Sequence, residues 1–156
     1  MDVSIKRMPG YRLATVRHVG PYNQIAASFG RLGAIAEPAG LLRHPGAAML
    51  AIYHDDPNST PADQLRSDAA ISVPEGVAMP AGLVEQRLPA GSYACTLHLG
   101  PYEALGEIWS WLLKEWLPAS GRRMEGGLSY GLYLNDPSRV SKPDLRTELY
   151  IHLSGS

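Results

Sequence analysis

The pentapeptide HVGPY at residues 18–22 returns as HLGPY at residues 98–102, an offset of eighty positions (98 − 18 = 80). Other segments repeat at the same offset without a gap: YHDDP at 53–57 with YLNDP at 133–137, and LRSDAAI at 65–71 with LRTELYI at 145–151. Two copies of one unit indicate a closed pair related by a pseudo-twofold axis rather than an open array of repeats. We therefore predict an internal duplication, with one repeat at residues 1–80 and the other at residues 81–156.

Each repeat contains the same order of predicted elements. Alternating apolar residues predict two strands joined by a tight connection, at Pro9-Gly10 in the first copy and at Pro89 in the second. A helix follows each pentapeptide, because proline suits a first helical turn, and the two helices are expected to end before Pro38 and Pro118. Two further strands close each copy. The predicted fold class is α+β: a duplicated ββαββ unit with a pseudo-twofold, antiparallel sheets and two long helices.

The histidines of the two pentapeptides, His18 and His98, lie at the ends of predicted strands. Such an imidazole is either a metal ligand or catalytic group, or a structural residue of the corner between strand and helix. No carboxylate or second histidine lies at a ligand spacing from either residue. We therefore interpret both as structural and expect no bound metal.

The composition excludes several classes of function. A chain of 156 residues with 45% hydrophobic and 19% charged residues fits one globular domain over residues 1–156. A net charge of −1 gives no electrostatic footprint for nucleic acid, and the sequence has no apolar stretch of about 18 residues to span a membrane. The single cysteine, Cys95, excludes a disulfide within this chain, and no signal peptide begins it. We expect a cytoplasmic protein, and the sequence implies no cofactor.

The two halves differ in their aromatic residues. The second predicted helix holds all three tryptophans, Trp109, Trp111 and Trp116, whereas the first helix is rich in alanine and glycine. Tyrosines are also concentrated in the second half: Tyr93, Tyr130, Tyr133 and Tyr150. An aromatic half that faces a half of small residues leaves room for a central, aromatic-lined ligand cleft. Trp109 and Trp116 share an apolar stripe, so both a cleft and simple core packing account for them, and Trp111 lies off that stripe.

An acid in the closing strand is the second difference between the halves. Glu148 lies in RTELYIHL among apolar neighbours, and its counterpart is Asp68 in RSDAAISV. A buried ionised carboxylate is costly without a partner, so Glu148 either points to water or faces a cavity where a cationic ligand supplies the charge. Alternation places Glu148, Tyr150 and His152 on one face of the strand. An acid beside a tyrosine suits an aromatic cation.

Several motifs in this order resemble the GyrI-like small-molecule-binding family, which includes a bacterial gyrase-inhibitor protein and the effector-binding domains of AraC-type and MerR-type regulators. The motifs are both HxGPY corners, WLPASG at 116–121, YLNDP at 133–137 and LRTELYIHL at 145–153, and the resemblance covers essentially the whole chain. It implies two βαββ-type units with a ligand cleft between them, aromatic walls, and Glu148 as the carboxylate that contacts the ligand. Some members hydrolyse cyclopropane-containing compounds, and many carry a second acid where this chain has Gly131, so the resemblance implies hydrolysis less strongly here.

Three functions follow as hypotheses. The first is binding, for sensing or sequestration, of hydrophobic and often cationic small molecules with Glu148 as the counter-charge. The second is hydrolysis of cyclopropane-type compounds in the same cleft with Glu148 as the catalytic residue, and the third is inhibition of DNA gyrase through a surface. The sequence leaves open the oligomeric state and whether the domain is free-standing or part of a regulator. The predicted ligand-binding residues are Glu148, Tyr150, Trp109, Trp111, Trp116, Tyr133 and Tyr93.

Overall fold

Eight strands form one antiparallel sheet in the computed structural model, which describes residues 2–43, 47–55, 59–135 and 139–154. The strands are β1 (Ser4–Met8), β2 (Tyr11–Val19), β3 (Met49–Tyr53), β4 (Arg66–Ser72), β5 (Val84–Leu88), β6 (Gly91–Leu99), β7 (Met124–Tyr133) and β8 (Arg146–Leu153). Their order across the sheet is β1-β6-β8-β7-β3-β4-β2-β5. The predicted α+β class is confirmed. The sheets expected of the two halves are one continuous sheet, because β3 and β7 pair at its centre.

The first strand of each half pairs with a strand of the other half. β1 pairs with β6, with Ser4 opposite Cys95, and β5 pairs with β2, with Val84 opposite Thr15. The predicted pairing of β1 with β2 is therefore wrong. A two-residue hairpin loop of the favoured types needs a positive φ at its first position, which the ring of Pro9 forbids. The chain consequently crosses to the other half instead of folding back.

The pairing registers of the two halves are related by the same offset of eighty residues. Equivalent pairs are Leu13–Ser72 with Tyr93–His152, and Met49–Ile71 with Ser129–Ile151. At the centre of the sheet Ala51 lies opposite Gly131, its own counterpart, so the twofold relation of strand order and register passes between these two residues. A duplication of residues 1–80 as residues 81–156 stays a prediction. The repeated segments at 53–57 and 133–137 lie partly outside the described residues.

The two predicted helices differ in form. The helical segments are α1 (Ala26–Ala36), α2 (Leu105–Trp111), a wide π-helical turn (Leu112–Trp116) and α3 (Leu117–Ser120). The first helix ends before Pro38, as predicted, but the second continues past Pro118 to a left-handed Gly121. Pro118 has no N–H to donate, and the widened turn before it, in which the Leu117 N–H donates to the Leu112 carbonyl, accommodates its ring.

The helices cover one face of the sheet, called the helix face below. Leu149 and Ile151 of β8 pack there with Trp109 of α2, and Ala69 of β4 packs with Leu32 of α1. These residues repeat at strand spacing along β4 and β8 and at helical spacing along the helices, as burial of one side of each element requires. The helix face is therefore the conventional core between a sheet and its helices.

The opposite face of the sheet, called the helix-free face below, carries a second core. Its buried members are Leu13, Leu50, Ile52, Ala70, Leu88, Tyr93, Cys95, Tyr130 and Tyr150. Strand alternation separates the two faces, so that Leu149 and Tyr150, neighbours in sequence, belong to different cores. No described helix covers these residues, so their burial means that the sheet curls around this face.

Each repeated pentapeptide forms the corner between a strand and a short 3₁₀ turn that leads into a helix. His18 Nε2 lies 2.9 Å from the Pro21 carbonyl, and His98 Nε2 lies 3.0 Å from the Pro101 carbonyl. A carbonyl oxygen only accepts, so each Nε2–H donates to it. These bonds hold both imidazoles within the corner and give a structural reason for the repeated histidine.

Replacing Gly100 of the second corner by alanine is expected to lower the free energy of unfolding by roughly 1–3 kcal/mol. Its φ of 125° lies where a side chain is strained. Gly30→Ala is the matched control, because Gly30 lies within α1 and an added methyl group would meet nothing within 4 Å. The control is expected to raise stability by about 0.5–1 kcal/mol. Urea denaturation measures both, and changes of the same sign would contradict a strained corner.

Candidate functional site

Glu148 lies on the helix-free face, in the middle of β8, and its side chain is 18% exposed. The Tyr150 hydroxyl donates to Oε1 at 3.0 Å, and the Lys6 ammonium donates to Oε2 at 3.4 Å. The Cys95 thiol lies 3.9 Å from the same Oε2. Lys6 is 46% exposed, so this long ion pair contributes at most about 1 kcal/mol. The carboxylate is largely withdrawn from water yet only weakly neutralised.

Four tyrosines form a cluster on the same face. Tyr130 stacks on Tyr150 with ring centroids 4.8 Å apart at 17°, and Tyr93 meets these two rings edge-on at 5.5 and 6.1 Å. Tyr11 adds an edge contact to Tyr130 at 6.3 Å. Burial raises the pKa of Tyr93 to about 12 and raises the pKa values of Tyr130 and Tyr150 well above the ordinary value. These hydroxyls therefore stay protonated at neutral pH.

Asp68, the counterpart of Glu148 in the first half, is 1% exposed and fully paired. Arg17 Nε donates to its Oδ1 at 2.6 Å, and Gln86 Nε2 donates to its Oδ2 at 2.8 Å. His54 Nε2 lies 2.5 Å from Oδ2. Burial opposes ionisation, but the hydrogen bonds from His54, Gln86 and Arg17 outweigh it and hold the pKa of Asp68 below its ordinary value. Arg17 and His54 of the first half, together with Gln86 of the second half, thus satisfy this buried acid.

The second half has leucines where the first half has these cationic and imidazole side chains. At the offset of eighty, Leu97 stands in the place of Arg17, and Leu134 stands in the place of His54. The geometry is equivalent, because Leu97 and Arg17 each lie opposite the acid of their own half in the strand register. The two leucines are 46% and 47% exposed. The second half thus has half-exposed leucines at the two positions from which Arg17 and His54 contact Asp68 in the first half.

Lys6 was not among the predicted site residues, because β1 was expected to pair with β2. The strand exchange brings Lys6 to Glu148, and the same exchange brings its counterpart Gln86 to Asp68. Pro9 at the first position of the supposed hairpin loop was the signal that could have excluded that hairpin. Tyr130 was noted among the tyrosines of the second half, but nothing in the sequence shows its stacking on Tyr150.

The tryptophans lie on the helix face. Trp109 is 4% exposed and meets Tyr53 edge-on at a centroid distance of 5.1 Å. Trp111 and Trp116 pack, partly buried, against the same core, as does Tyr133. For Trp109 and Trp116 the structure thus favours the core-packing account of the apolar stripe.

The predicted site residues consequently divide between the two faces. The structure brings Glu148, Tyr150 and Tyr93 together on the helix-free face. The structure places Glu148 on the face opposite to the tryptophans and Tyr133, because alternation turns Leu149 rather than Glu148 towards the helices. The ligand contacts themselves stay a prediction.

Two open hollows lie elsewhere on the surface. One, of about 440 Å³, lies beside the end of α1 between Gly33 and Arg43, and the other, of about 280 Å³, lies between Arg7 and His152. Neither is lined by Glu148, so the central cleft stays a prediction. Among the described residues, no helix is long and apolar enough to cross a membrane. Nor does that part of the chain group three His, Cys, Asp or Glu side chains in a way that could hold a metal ion.

Comparison with known proteins gives the family. The model of the GyrI-like small molecule binding domain matches residues 1–154. A DNA gyrase inhibitor of Erwinia billingiae is 32% identical over 99% of this chain and 98% of its own. The probable transcriptional regulator YgiV of Escherichia coli K12 is 26% identical over 99% of this chain and 97% of its own. The chain belongs to the GyrI-like family and is a small-molecule-binding domain.

Solved structures share this fold. The match to EcmrR in its complex with DNA has a TM-score of 0.84 at 17% identity and covers 97% of this chain but 57% of that one. The C-terminal domain of EcmrR alone matches with a TM-score of 0.81 at 16% identity, over 99% and 98% of the two chains. SAV2435 bound to tetraphenylphosphonium matches with a TM-score of 0.68 at 13% identity, over 99% and 95%. Identities this low show the fold alone.

Proposed function

We propose that this domain binds hydrophobic organic cations on the helix-free face of its sheet, with Glu148 as the counter-charge. The observation that carries the proposal is the contrast between the two acids. Asp68 is neutralised within its own half by Arg17, whereas Glu148 faces Leu97 at the position of that arginine. A molecule that combines a positive charge with apolar surface can take the place of the long contact between Lys6 and this carboxylate, and it covers the half-exposed Leu97.

Lys6 does not neutralise Glu148 as Arg17 neutralises Asp68. The two cations are similarly exposed, at 46% for Lys6 and 48% for Arg17, but the Lys6 ammonium lies 3.4 Å from its carboxylate whereas Arg17 Nε lies 2.6 Å from its own. A ligand that displaces Lys6 from this longer contact returns it to water at little cost. An ammonium is a compact, strongly hydrated ion. A large organic cation instead gains free energy when its apolar surface leaves water. Exchange of Lys6 for such a cation is therefore favourable.

The tyrosine cluster adds to this preference. The Tyr150 hydroxyl holds one carboxylate oxygen, which fixes the direction of the other. A cation that Glu148 holds lies beside Tyr150, and a ring within about 6 Å of a cation attracts it by roughly 0.5–2 kcal/mol. The carboxylate and the rings thus act on the same charge.

Two of the similar proteins support this ligand class and a sensing role. SAV2435, which shares the fold, was solved bound to tetraphenylphosphonium, a hydrophobic organic cation. YgiV is named a probable transcriptional regulator, which suits the sensing of a small molecule. We take both as support by analogy, and the residues around Glu148 carry the argument.

Glu148→Gln is the direct test. It keeps the shape of the side chain and removes its charge, so binding of the permanent cation 4-benzyl-N-methylpyridinium is expected to weaken roughly 5- to 100-fold, the usual effect of losing a charge-assisted contact. Neutral 4-benzylpyridine, measured at pH 8, is expected to bind the variant and the unaltered chain alike. Isothermal titration calorimetry measures both affinities.

Glu115→Gln provides the matched control, because Glu115 is exposed on the second helix. It is expected to leave both ligands unaffected. Equal weakening of the cation and the neutral ligand by Glu148→Gln would show that Glu148 stabilises the fold and does not recognise the charge of the ligand. Mass spectrometry of the recovered ligand distinguishes retention from turnover, the outcome that the hydrolase hypothesis requires.

A gyrase partner is a second candidate, favoured by the 32% identity to the Erwinia billingiae protein named a DNA gyrase inhibitor. Inhibition through a surface does not need the charge of Glu148. A gyrase supercoiling assay with the unaltered chain and with Glu148→Gln separates the two roles. Equal inhibition by both chains supports the gyrase partner, and no inhibition by either removes it.

A further inference from the structure

Tyr130 has a hydroxyl without a hydrogen-bond partner among the described residues, although the residue is 1% exposed. Buried polar groups are nearly always paired, because an unpaired one loses its hydrogen bonds to water without replacement. The ring stacks on Tyr150 and is met edge-on by Tyr93 and Tyr11. This packing fixes the ring, so the hydroxyl does not swing away to find a partner.

Two of the hydroxyls around Tyr130 are already engaged. The Tyr150 hydroxyl donates to Glu148, and the Tyr93 hydroxyl donates to the Pro89 carbonyl at 2.7 Å. Burial above all raises the pKa of Tyr130 well above its ordinary value, so its hydroxyl remains a donor. One buried donor therefore stands free on the same face as the weakly neutralised acid.

We propose that the Tyr130 hydroxyl donates a hydrogen bond to the ligand, so that the site selects organic cations that carry a carbonyl or ether oxygen beside the charged group. The inference rests on the proposed function, because Glu148 is the group that fixes the cation. Tyr130 lies opposite Tyr150 in the strand register and stacks on its ring, and Tyr150 bonds Glu148. The two stacked rings therefore place the free hydroxyl and the carboxylate on the same face of the sheet.

The test compares two permanent cations of nearly the same shape, 4-benzoyl-N-methylpyridinium and 4-benzyl-N-methylpyridinium. They differ by a carbonyl group in place of a methylene group. The full chain is expected to bind the benzoyl cation about 5- to 10-fold more tightly, the effect of one hydrogen bond from a buried donor. Tyr130→Phe is expected to remove this preference by weakening the benzoyl cation alone. Isothermal titration calorimetry measures all four affinities.

Tyr22→Phe is the matched control, because Tyr22 packs on the helix face with its hydroxyl already bonded to the Asp55 carbonyl, and it is expected to keep the preference. Equal binding of the two cations by the unaltered chain overturns the inference, as does a Tyr130→Phe variant that still prefers the benzoyl cation. Glu148→Gln separates this inference from the proposed function. If Glu148→Gln binds both cations as tightly as the unaltered chain does, the proposed function is removed. If Glu148→Gln weakens both cations but the unaltered chain shows no preference between them, only the role of Tyr130 is removed.

Discussion

An arginine in place of Leu97 is expected to weaken the binding of 4-benzyl-N-methylpyridinium by about 100-fold, because the charge-assisted contact and part of the apolar surface are lost together. Leu97 lies opposite Glu148 in the same register that places Arg17 opposite Asp68. In the first half the arginine Nε approaches the carboxylate to 2.6 Å. The introduced guanidinium can make the same contact and would supply from within the chain the charge that the ligand supplies.

Leu97→Met is the matched control for this variant, since it keeps an apolar side chain of similar volume at a half-exposed position. It is expected to bind the cation within a factor of about three of the unaltered chain. The same calorimetric titrations measure both variants, and thermal denaturation shows that both remain folded. A Leu97→Arg variant that binds the cation as well as Leu97→Met does would contradict the role of Glu148 as the counter-charge.

Asp68→Asn is expected to lower the free energy of unfolding by about 2–4 kcal/mol at pH 7, because an amide in a buried site loses the ionic contacts and turns a donor towards donors. Asp68 is 1% exposed and has three side-chain partners. The ion pair with Arg17 is only a part of this effect, since that arginine is 48% exposed and its charge is screened by water. Glu148→Gln is the comparison, and it is expected to change stability by less than about 1 kcal/mol. Urea denaturation measures both, and equal losses would contradict the division of roles between the acids.

The pH dependence of stability follows from the same pair. The pKa of Asp68 is lower in the folded protein than in the unfolded chain, where it is about 3.9. Its contribution is therefore fully present above the unfolded pKa and is lost as pH falls through the folded pKa. The stability difference between the unaltered chain and Asp68→Asn is expected to be constant from pH 7 to about pH 5 and to shrink below about pH 4. A difference that grows as the pH falls would contradict this sign.

The order of elements could be read from the sequence because each signal is local. The corners at Gly20-Pro21 and Gly100-Pro101 and the alternation of the strands depend on residues close together in the chain. The strand that pairs with β1 lies far away in the sequence, so local signals do not identify it. Only the ring of Pro9 indicated that β1 and β2 do not form a hairpin. The prediction that the second helix ends before Pro118 was wrong. A wide turn before the proline removes the clash that ordinarily ends a helix.

Some residues of the candidate site could be predicted from the sequence, and others could not. Glu148, Tyr150 and Tyr93 lie on one face because alternation along a strand is reliable. The tryptophans were misplaced because composition shows that a half is aromatic without showing which face of the sheet its helix covers. Lys6 and the half-exposed Leu97 became visible only when the structure aligned the surroundings of the two acids. The offset of eighty residues in the sequence already pairs Arg17 with Leu97 and Asp68 with Glu148, so this difference between the halves could have been found before the structure.

The exchange of β1 and β5 ties the folding of the two halves together. β1 of the first half pairs with β6 of the second, and β5 of the second half pairs with β2 of the first. Unfolding of either half therefore removes a strand from the part of the sheet that the other half forms and exposes a row of unpaired backbone groups. Unfolding of one half alone thus costs free energy in both halves, and we expect the sheet to unfold as one cooperative unit rather than as two. Such interlocking also joins each acid to the opposite half, because Gln86 of the second half bonds Asp68 and Lys6 of the first half pairs with Glu148.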